Sequence, residues 1–185
     1  MQRRRGLALA AAVVAVVSGC TSSDNPSASA SASEAVGAAS GKPGIQRCAT
    51  ADLDITLGPG EGAAGSTFYA VRLKNTSGHP CRTGGYGRAA LASGDPGRLV
   101  GRPADRVQKA AARRFVLQDG KSAEATLQES NADNYPVKQC RPTSARGLRV
   151  SPPDDTASVF LAHSTTACQS ERVHQLRLTP YQKVG

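Results

Sequence analysis

The sequence predicts an all-β fold, a single antiparallel β-sandwich of immunoglobulin-like type with seven or eight short strands. Apolar and polar residues alternate with a period of two in several short segments, which is the pattern of strands with one buried face. Glycine and proline separate those segments, and little of the chain has the period of an amphipathic helix. A chain of 185 residues has room for about one domain, which excludes a large two-domain enzyme.

The predicted strands follow one another at short intervals. Their alternating cores fall at residues 53–57, 69–73, 115–117, 123–127, 148–150, 159–161 and 176–178. We expect the segments at 115–117 and 123–127 to form a hairpin, because the intervening Asp119-Gly120 pair is typical of a tight turn. The sequence Asn-Thr-Ser-Gly at residues 75–78 predicts a second turn, in which the Asn75 side chain bonds the backbone. Residues 104–114 depart from the strand pattern and predict a short helix or a mobile loop.

The first twenty residues predict export and lipidation. Arg3, Arg4 and Arg5 precede an apolar run at residues 7–17, which is the layout of a secretory signal peptide and is too short for a membrane span. The following Val-Ser-Gly-Cys sequence, which ends at Cys20, resembles the lipobox of bacterial lipoproteins. That resemblance implies cleavage of a signal peptide at residues 1–19, acylation of Cys20 and attachment to the membrane through the lipid. An ordinary secreted protein is the alternative.

Residues 20–47 predict a linker that consists of the lipidated cysteine and a disordered tether. Serine and alanine alternate at residues 27–33, and the segment has no aromatic residue. Its few large aliphatic side chains bury too little surface to offset the entropy of ordering the chain. We therefore expect the folded domain at residues 48–185.

Four cysteines remain in the predicted domain. In an exported chain an even number indicates a disulfide framework, and four cysteines allow three pairings. Cys48 precedes the first predicted strand and Cys81 follows the second, while Cys140 and Cys168 flank the strand at 148–150. This placement favours the disulfides Cys48–Cys81 and Cys140–Cys168. Each closed loop should stabilise the fold by roughly 3–4 kcal/mol in the chain-entropy account.

The positive charge is concentrated in one segment. Loss of the three signal-peptide arginines lowers the formal net charge from +9 to +6. Between residues 98 and 114 a single acidic residue, Asp105, accompanies six basic ones. These are Arg98, Arg102, Arg106, Lys109, Arg113 and Arg114. In a helix, Arg106, Lys109 and Arg113 would share one side.

This basic segment has two interpretations. The first is a solvated loop whose charge keeps the surface soluble. The second is an anion-binding patch for a wall phosphate polymer, acidic lipid headgroups or an acidic envelope protein, with a salt-dependent attraction. We do not expect nucleic acid as a partner, because the chain is predicted to be exported and no aromatic residues interleave the basic ones.

Several motifs together resemble an actinobacterial family of secreted proteins and lipoproteins that is catalogued as a domain of unknown function. The most specific is Asn-Thr-Ser-Gly-His-Pro-Cys at residues 75–81, with Gly-Tyr-Gly at 85–87 close behind. Cys48, the segments at 62–66 and 117–123, and the pair Cys140 and Cys168 complete the pattern. The resemblance implies a β-sandwich on the outer face of the cytoplasmic membrane of a high-GC Gram-positive cell. It implies no reaction.

Catalytic and metal-binding motifs are missing from the sequence. His79, His163 and His174 are far apart and form neither His-x-His nor His-Glu-x-x-His. No Gly-x-Ser-x-Gly elbow or supported Ser-x-x-Lys motif occurs. Asp154-Asp155, which follows two prolines, is a weak candidate for calcium. We therefore expect a protein that is not an enzyme and that has no cofactor and no metal site.

Two classes of function follow. The leading one is a monomeric, envelope-anchored lipoprotein whose sandwich binds an envelope component, a small ligand or a protein partner. The second is a structural or accessory surface lipoprotein with no ligand of its own, and a cell-wall hydrolase is a distant third. A pocket in which polar groups converge beside Tyr69, Tyr86 or Tyr135 would favour ligand binding.

Overall fold

The computed structural model describes residues 44–108 and 111–185. The predicted signal peptide, Cys20 and most of the predicted linker lie outside these residues. Within them the chain forms twelve strands. They are β1 (Leu53–Ala63), β2 (Ser66–Asn75), β3 (Cys81–Gly84), β4 (Arg88–Ala92), β5 (Leu99–Val100), β6 (Asp105–Arg106), β7 (Arg114–Leu117), β8 (Ser122–Ser130), β9 (Pro142–Ser151), β10 (Val159–Cys168), β11 (Leu176–Leu178) and β12 (Gln182–Lys183).

The strands form a β-sandwich, as the sequence predicts. One sheet has the order β1-β2-β8-β11-β6, with β12 also paired to β8, and the other has the order β10-β9-β4-β5. A third, two-stranded sheet joins β3 to β7. Neighbouring strands are antiparallel except β6 and β11, which are parallel. The helical elements of the described chain are a four-residue α-helix, Val137–Cys140, and two 3₁₀ turns, Thr50–Asp52 and Ala132–Asn134. None of them is long and apolar enough to cross a membrane.

The core lies between the two large sheets. Val71 and Leu127 of one sheet and Leu148 and Val150 of the other are fully buried members of one apolar cluster. The alternation in the sequence matches this burial: Leu53 and Ile55 are buried and the intervening Asp54 is exposed. Burial of such side chains contributes about 1.5–3 kcal/mol each.

Both predicted disulfides are confirmed. Cys48 bonds Cys81, and Cys140 bonds Cys168. The first disulfide joins the start of the domain to β3, beside hydrogen bonds between the backbones of Arg82 and residues 46–48. Gln46 and Cys48 are thus both tied to β3 by backbone hydrogen bonds.

The predicted hairpin at residues 115–127 is wrong. Residues 118–121 do form a turn, with Lys121 N–H donating to the Gln118 carbonyl at 3.1 Å. However, β7 pairs with β3, and β8 pairs with β2, β11 and β12. The turn therefore carries the chain from the two-stranded sheet to the large sheet, where β8 pairs with the longer strand β2.

A helix over residues 104–114 is also wrong for the described part of that segment. Asp105–Arg106 is strand β6, which pairs with β11, and Arg114 begins strand β7. Lys109 lies outside the described residues. The shared helical side predicted for Arg106, Lys109 and Arg113 therefore does not form.

Candidate functional site

A carboxylate lies on the inner face of β8, where the pattern of the strand calls for an apolar residue. Ala123, Ala125 and Leu127 point into the core, and Glu129 continues the same face. Only 5% of Glu129 is exposed. An unpaired buried carboxylate is costly, so its surroundings must supply polar partners.

Two side chains of β10 supply those partners. His163 Nε2 donates to Glu129 Oε2 at 2.7 Å, and Thr165 Oγ1 donates to Glu129 Oε1 at 2.5 Å. The His163 side chain is 12% exposed. Because β8 and β10 belong to different sheets, the pair links the two layers of the sandwich. The register of β10 against β9 shifts between Ala162 and Thr165, next to His163.

Glu129 borders a cavity of about 210 Å³, which we call the Glu129 recess. Its lining is polar and includes Thr67, Tyr69, Glu129, Asn131, Asp133 and Thr165. Hydroxyl, amide and carboxylate groups converge there, and no lysine or arginine is among the lining residues. The recess is therefore an acidic site on a basic protein. Its volume is below the usual range for a drug-sized ligand and suits a smaller molecule.

Tyr69 forms the aromatic wall of the recess. Its ring meets the His163 ring edge-on, with centroids 4.8 Å apart. It also covers Gly60, where a Cβ would lie 2.7 Å from the Tyr69 ring, so glycine at this position makes room for it. Burial and the charge of Glu129 raise the pKa of the Tyr69 phenol, while a hydrogen bond from Thr67 lowers it. The phenol is therefore protonated at neutral pH and can donate a hydrogen bond.

The remaining wall is braced by the β1–β2 turn and a disulfide. Ala64 and Gly65 both have positive φ, as a two-residue hairpin turn requires. The Gly65 carbonyl accepts hydrogen bonds from Asn131 N–H at 2.9 Å and from Asn134 Nδ2 at 2.6 Å. Ala132, which lines the recess, packs in a buried cluster with the disulfide Cys140–Cys168. These contacts fix the segment that closes the recess.

The predicted basic patch is divided among three sheets. Arg98 precedes β5 of the four-stranded sheet, Arg106 is in β6 of the large sheet, and Arg114 is in β7 of the two-stranded sheet. Arg102 pairs with Asp105 at 3.1 Å and Arg114 pairs with Asp154 at 2.6 Å. The structure therefore does not bring the patch residues together on one strand or helix.

The other predicted positions have structural partners. Partial burial raises the pKa of the Asp105 carboxyl. Hydrogen bonds from His174 and Arg102 lower it by more, so the net shift is downward. The Asp155 carboxylate accepts from Thr50 N–H and Oγ1, both at 2.8 Å, and these bonds lower its pKa. In residues 44–108 and 111–185 no group of three or more His, Cys, Asp or Glu side chains could hold a metal ion.

Two of the three tyrosines named in the sequence analysis serve the fold. Tyr86 donates to the Val107 carbonyl at 2.6 Å, with the Arg106 guanidinium 5.3 Å from its ring centroid. Tyr135 donates to the His174 carbonyl at 3.1 Å and packs beside the second disulfide. Only Tyr69 lines a cavity with converging polar groups among the described pockets.

The sequence analysis missed Glu129 and His163, although a signal for them exists. The alternation of β8 puts residue 129 on the same face as residues 123, 125 and 127. In β10, residue 163 has the same parity as Val159 and Leu161. A charged residue and an imidazole on two predicted inner faces would have indicated a buried pair.

The fold and the recess can be set beside known proteins. No curated protein matches the chain, and no solved structure matches it. Residues 48–182 match the family described as Domain of unknown function (DUF4232), and the chain belongs to that family.

Proposed function

We propose that this chain is a lipid-anchored, extracytoplasmic binding protein without enzymatic activity, which takes a small, uncharged or cationic polar ligand in the Glu129 recess. The expected lipobox at Cys20 supports the anchor. The two disulfides support an oxidising compartment, because such bonds persist outside the cytoplasm.

The observation that carries the proposal is the buried Glu129–His163 pair at an open cavity. A buried polar pair contributes little net stability compared with well-packed apolar side chains. Its presence where the cavity opens is therefore better explained by recognition than by folding. Tyr69 and Thr67 add hydroxyl groups, and Asp133 adds a second carboxylate.

The charge of the recess selects the ligand class. With two carboxylates and no Lys or Arg in its lining, the recess attracts ammonium groups, accepts hydrogen bonds from hydroxyl groups and repels anions. A single hydroxylated ring with an amine is a suitable probe. Glucosamine, N-acetylglucosamine and glucuronate share one ring and differ in charge.

The test is saturation-transfer NMR and calorimetry with the three sugars on the full chain carrying Cys20→Ala, which removes the lipid site. We expect glucosamine to bind most tightly and glucuronate not to bind. Glu129→Gln, which keeps the shape and removes the charge, should weaken glucosamine binding about tenfold or more, as expected for loss of a charge-assisted hydrogen bond.

Glu124→Gln is the matched control, because Glu124 lies on the same strand but pairs with Arg72 at 2.5 Å on the outer side. It should leave binding unchanged. Equal binding by Glu129→Gln and the wild type, or no binding of any of the three sugars, would contradict the proposal and favour an accessory protein with no ligand of its own.

A further inference from the structure

We propose that a second site, on the outer face of the four-stranded sheet, binds the phosphodiester headgroup of an anionic membrane lipid. The site is a cleft of about 410 Å³, here called the Arg88–Arg149 cleft. Its lining includes Arg88, Arg149, Ser151, Ser158, Leu99 and Pro103. It is separate from the Glu129 recess and shares no lining residue with it.

Strand alternation places the two arginines on the outer face. Ala89, Leu91, Leu148 and Val150 belong to the core between the sheets, so their neighbours in β4 and β9 point away from it. Arg88 is the register partner of Ser151, and Ala90 is the partner of Arg149. Gly97, Leu99 and Pro103, from the segment that contains the edge strand β5, line the cleft together with residues of β4 and β9.

Each arginine of the cleft has guanidinium N–H groups beyond the one that donates a hydrogen bond in the described part of the chain. Arg88 makes no ion pair in the described part of the chain, and its Nη2 donates to the Asp155 carbonyl at 3.2 Å. Arg149 forms a salt bridge from Nη2 to Asp95 Oδ1 at 2.6 Å, which leaves its other N–H groups for a ligand, and its guanidinium lies 5.7 Å from the Phe160 ring centroid. Together with two serine hydroxyls, the remaining N–H groups of the two arginines can donate to several oxygens of one phosphate.

One edge of the cleft is apolar and exposed. Leu99 is 54% exposed, and the basic residues Arg98 and Arg102 lie close to it in the sequence. A basic site with an exposed leucine suits the boundary between lipid headgroups and acyl chains. Each basic residue near an anionic bilayer contributes about 1 kcal/mol to binding, or about fivefold in affinity.

The cleft adjoins the point where the chain enters the domain. Arg47 Nη1 donates to the Asp154 carbonyl at 2.5 Å, Thr50 donates to the Asp155 carboxylate, and Arg88 donates to the Asp155 carbonyl. Residues 154–155 thus contact both the first residues of the domain and the cleft. The choice of a lipid headgroup over a free phosphate ester rests on the proposed anchor at Cys20, which would keep the domain close to the bilayer.

The experiment measures co-flotation of the predicted mature chain, residues 20–185 with Cys20→Ala, with vesicles of phosphatidylcholine alone or with one third phosphatidylglycerol. We expect binding only to the anionic vesicles. The double variant Arg88→Gln/Arg149→Gln should lose about 25-fold in affinity. Arg72→Gln/Arg177→Gln, which removes the same charge from exposed positions of the large sheet, should lose threefold or less. Leu99→Ser, which keeps every charge, should also weaken vesicle binding.

The outcomes are distinct. Equal losses in the two arginine pairs would show general charge attraction and overturn the proposal, as would wild-type chain that does not float. Binding of soluble glycerol 3-phosphate without binding to vesicles would assign the cleft to a free phosphate ester and overturn the lipid assignment. If Arg149→Gln unfolds the protein, Arg88→Gln and Leu99→Ser still decide the result. Because the vesicle assay uses no sugar probe, its failure leaves the proposed function of the Glu129 recess standing.

Discussion

Glu129 and His163 meet with 2.7 Å between Oε2 and Nε2, although they belong to different sheets of the sandwich. Both side chains are nearly buried. The pair therefore connects the two layers, and its Glu129 member also lines a cavity.

Removal of one member of this pair should destabilise the fold more than removal of both. His163→Leu leaves the buried Glu129 carboxylate without its imidazole partner, and we expect a loss of about 3 kcal/mol in the free energy of unfolding. Glu129→Leu/His163→Leu should recover most of that loss, because apolar side chains replace the pair. Urea denaturation of the wild type, His163→Leu, Glu129→Leu and the double variant measures the cycle. If the double variant lost as much free energy of unfolding as the two single variants together, the coupling of Glu129 and His163 would be contradicted.

The two disulfides should differ in their effect on the Glu129 recess. Replacing Cys140 and Cys168 by Ser should cost about 3–4 kcal/mol and also weaken glucosamine binding, because Ala132 packs on this bond and lines the recess. Replacing Cys48 and Cys81 should cost a similar free energy of unfolding without changing the affinity of the folded protein. Denaturation and calorimetry below the unfolding transition separate the two effects. Equal changes in affinity would argue against the brace.

Tyr181 should limit stability at high pH. It is fully buried, its hydroxyl has no hydrogen-bond partner in the described structure, and burial raises the pKa of the phenol. A pKa raised in the folded state adds stability that is complete below the unfolded value, about 10, and is lost as the pH rises above it. Tyr181→Phe should be neutral or stabilising near pH 7 and should flatten the fall in stability above pH 10. Tyr135→Phe is the matched control, and an unchanged pH profile in Tyr181→Phe would refute the assignment.

Asn75 should be essential to the turn that follows β2. Its Nδ2 donates to the carbonyls of His79 and Leu117 at 2.8 and 3.0 Å, and its Oδ1 accepts from Ser77 N–H at 3.1 Å. Asn75→Ala removes the side-chain donor from the buried Leu117 carbonyl, whereas the exposed His79 carbonyl keeps a hydrogen bond from Ser77 Oγ at 2.9 Å, so we expect a loss of about 1–3 kcal/mol. Lys74→Ala, at the exposed neighbouring position, should cost less than about 0.5 kcal/mol. Thermal and urea unfolding provide the comparison, and similar losses would contradict the role.

The sequence predicted those parts of the fold that depend on residues close together in the chain. Alternation located β1, β2 and β8, the positive φ of Gly78 and the Asn75 bond formed as the turn sequence indicates, and the cysteine pairs are those that strand order favoured. The pairing of β7 with β3 joins residues thirty or more positions apart, so the Asp119-Gly120 turn alone could not reveal it.

The missed elements have physical reasons. Strand β4, Arg-Ala-Ala-Leu-Ala, lacks the β-branched and aromatic residues that favour strands, and it is held by its ladder with β9. The Glu129 recess was not predicted because its members come from three strands and a 3₁₀ turn, and each residue is ordinary in its own segment. The Arg88–Arg149 cleft was not predicted because its two arginines are far apart in the chain. They come together only through the pairing of β4 with β9, whereas the basic residues at 98–114 are close in sequence.

The β1–β2 hairpin is long, so its two ends lie far apart in the domain. Its open end, at Leu53 and Asn75, adjoins the first residues of the domain, and its closed end carries Thr67, the register partner of Glu129. Nine residues of strand separate Leu53 from Gly62, the partner of Thr67, which corresponds to about 30 Å. The Glu129 recess and the point where the chain enters the domain therefore lie at opposite ends of this hairpin, so a ligand in the recess would leave the entering segment uncovered.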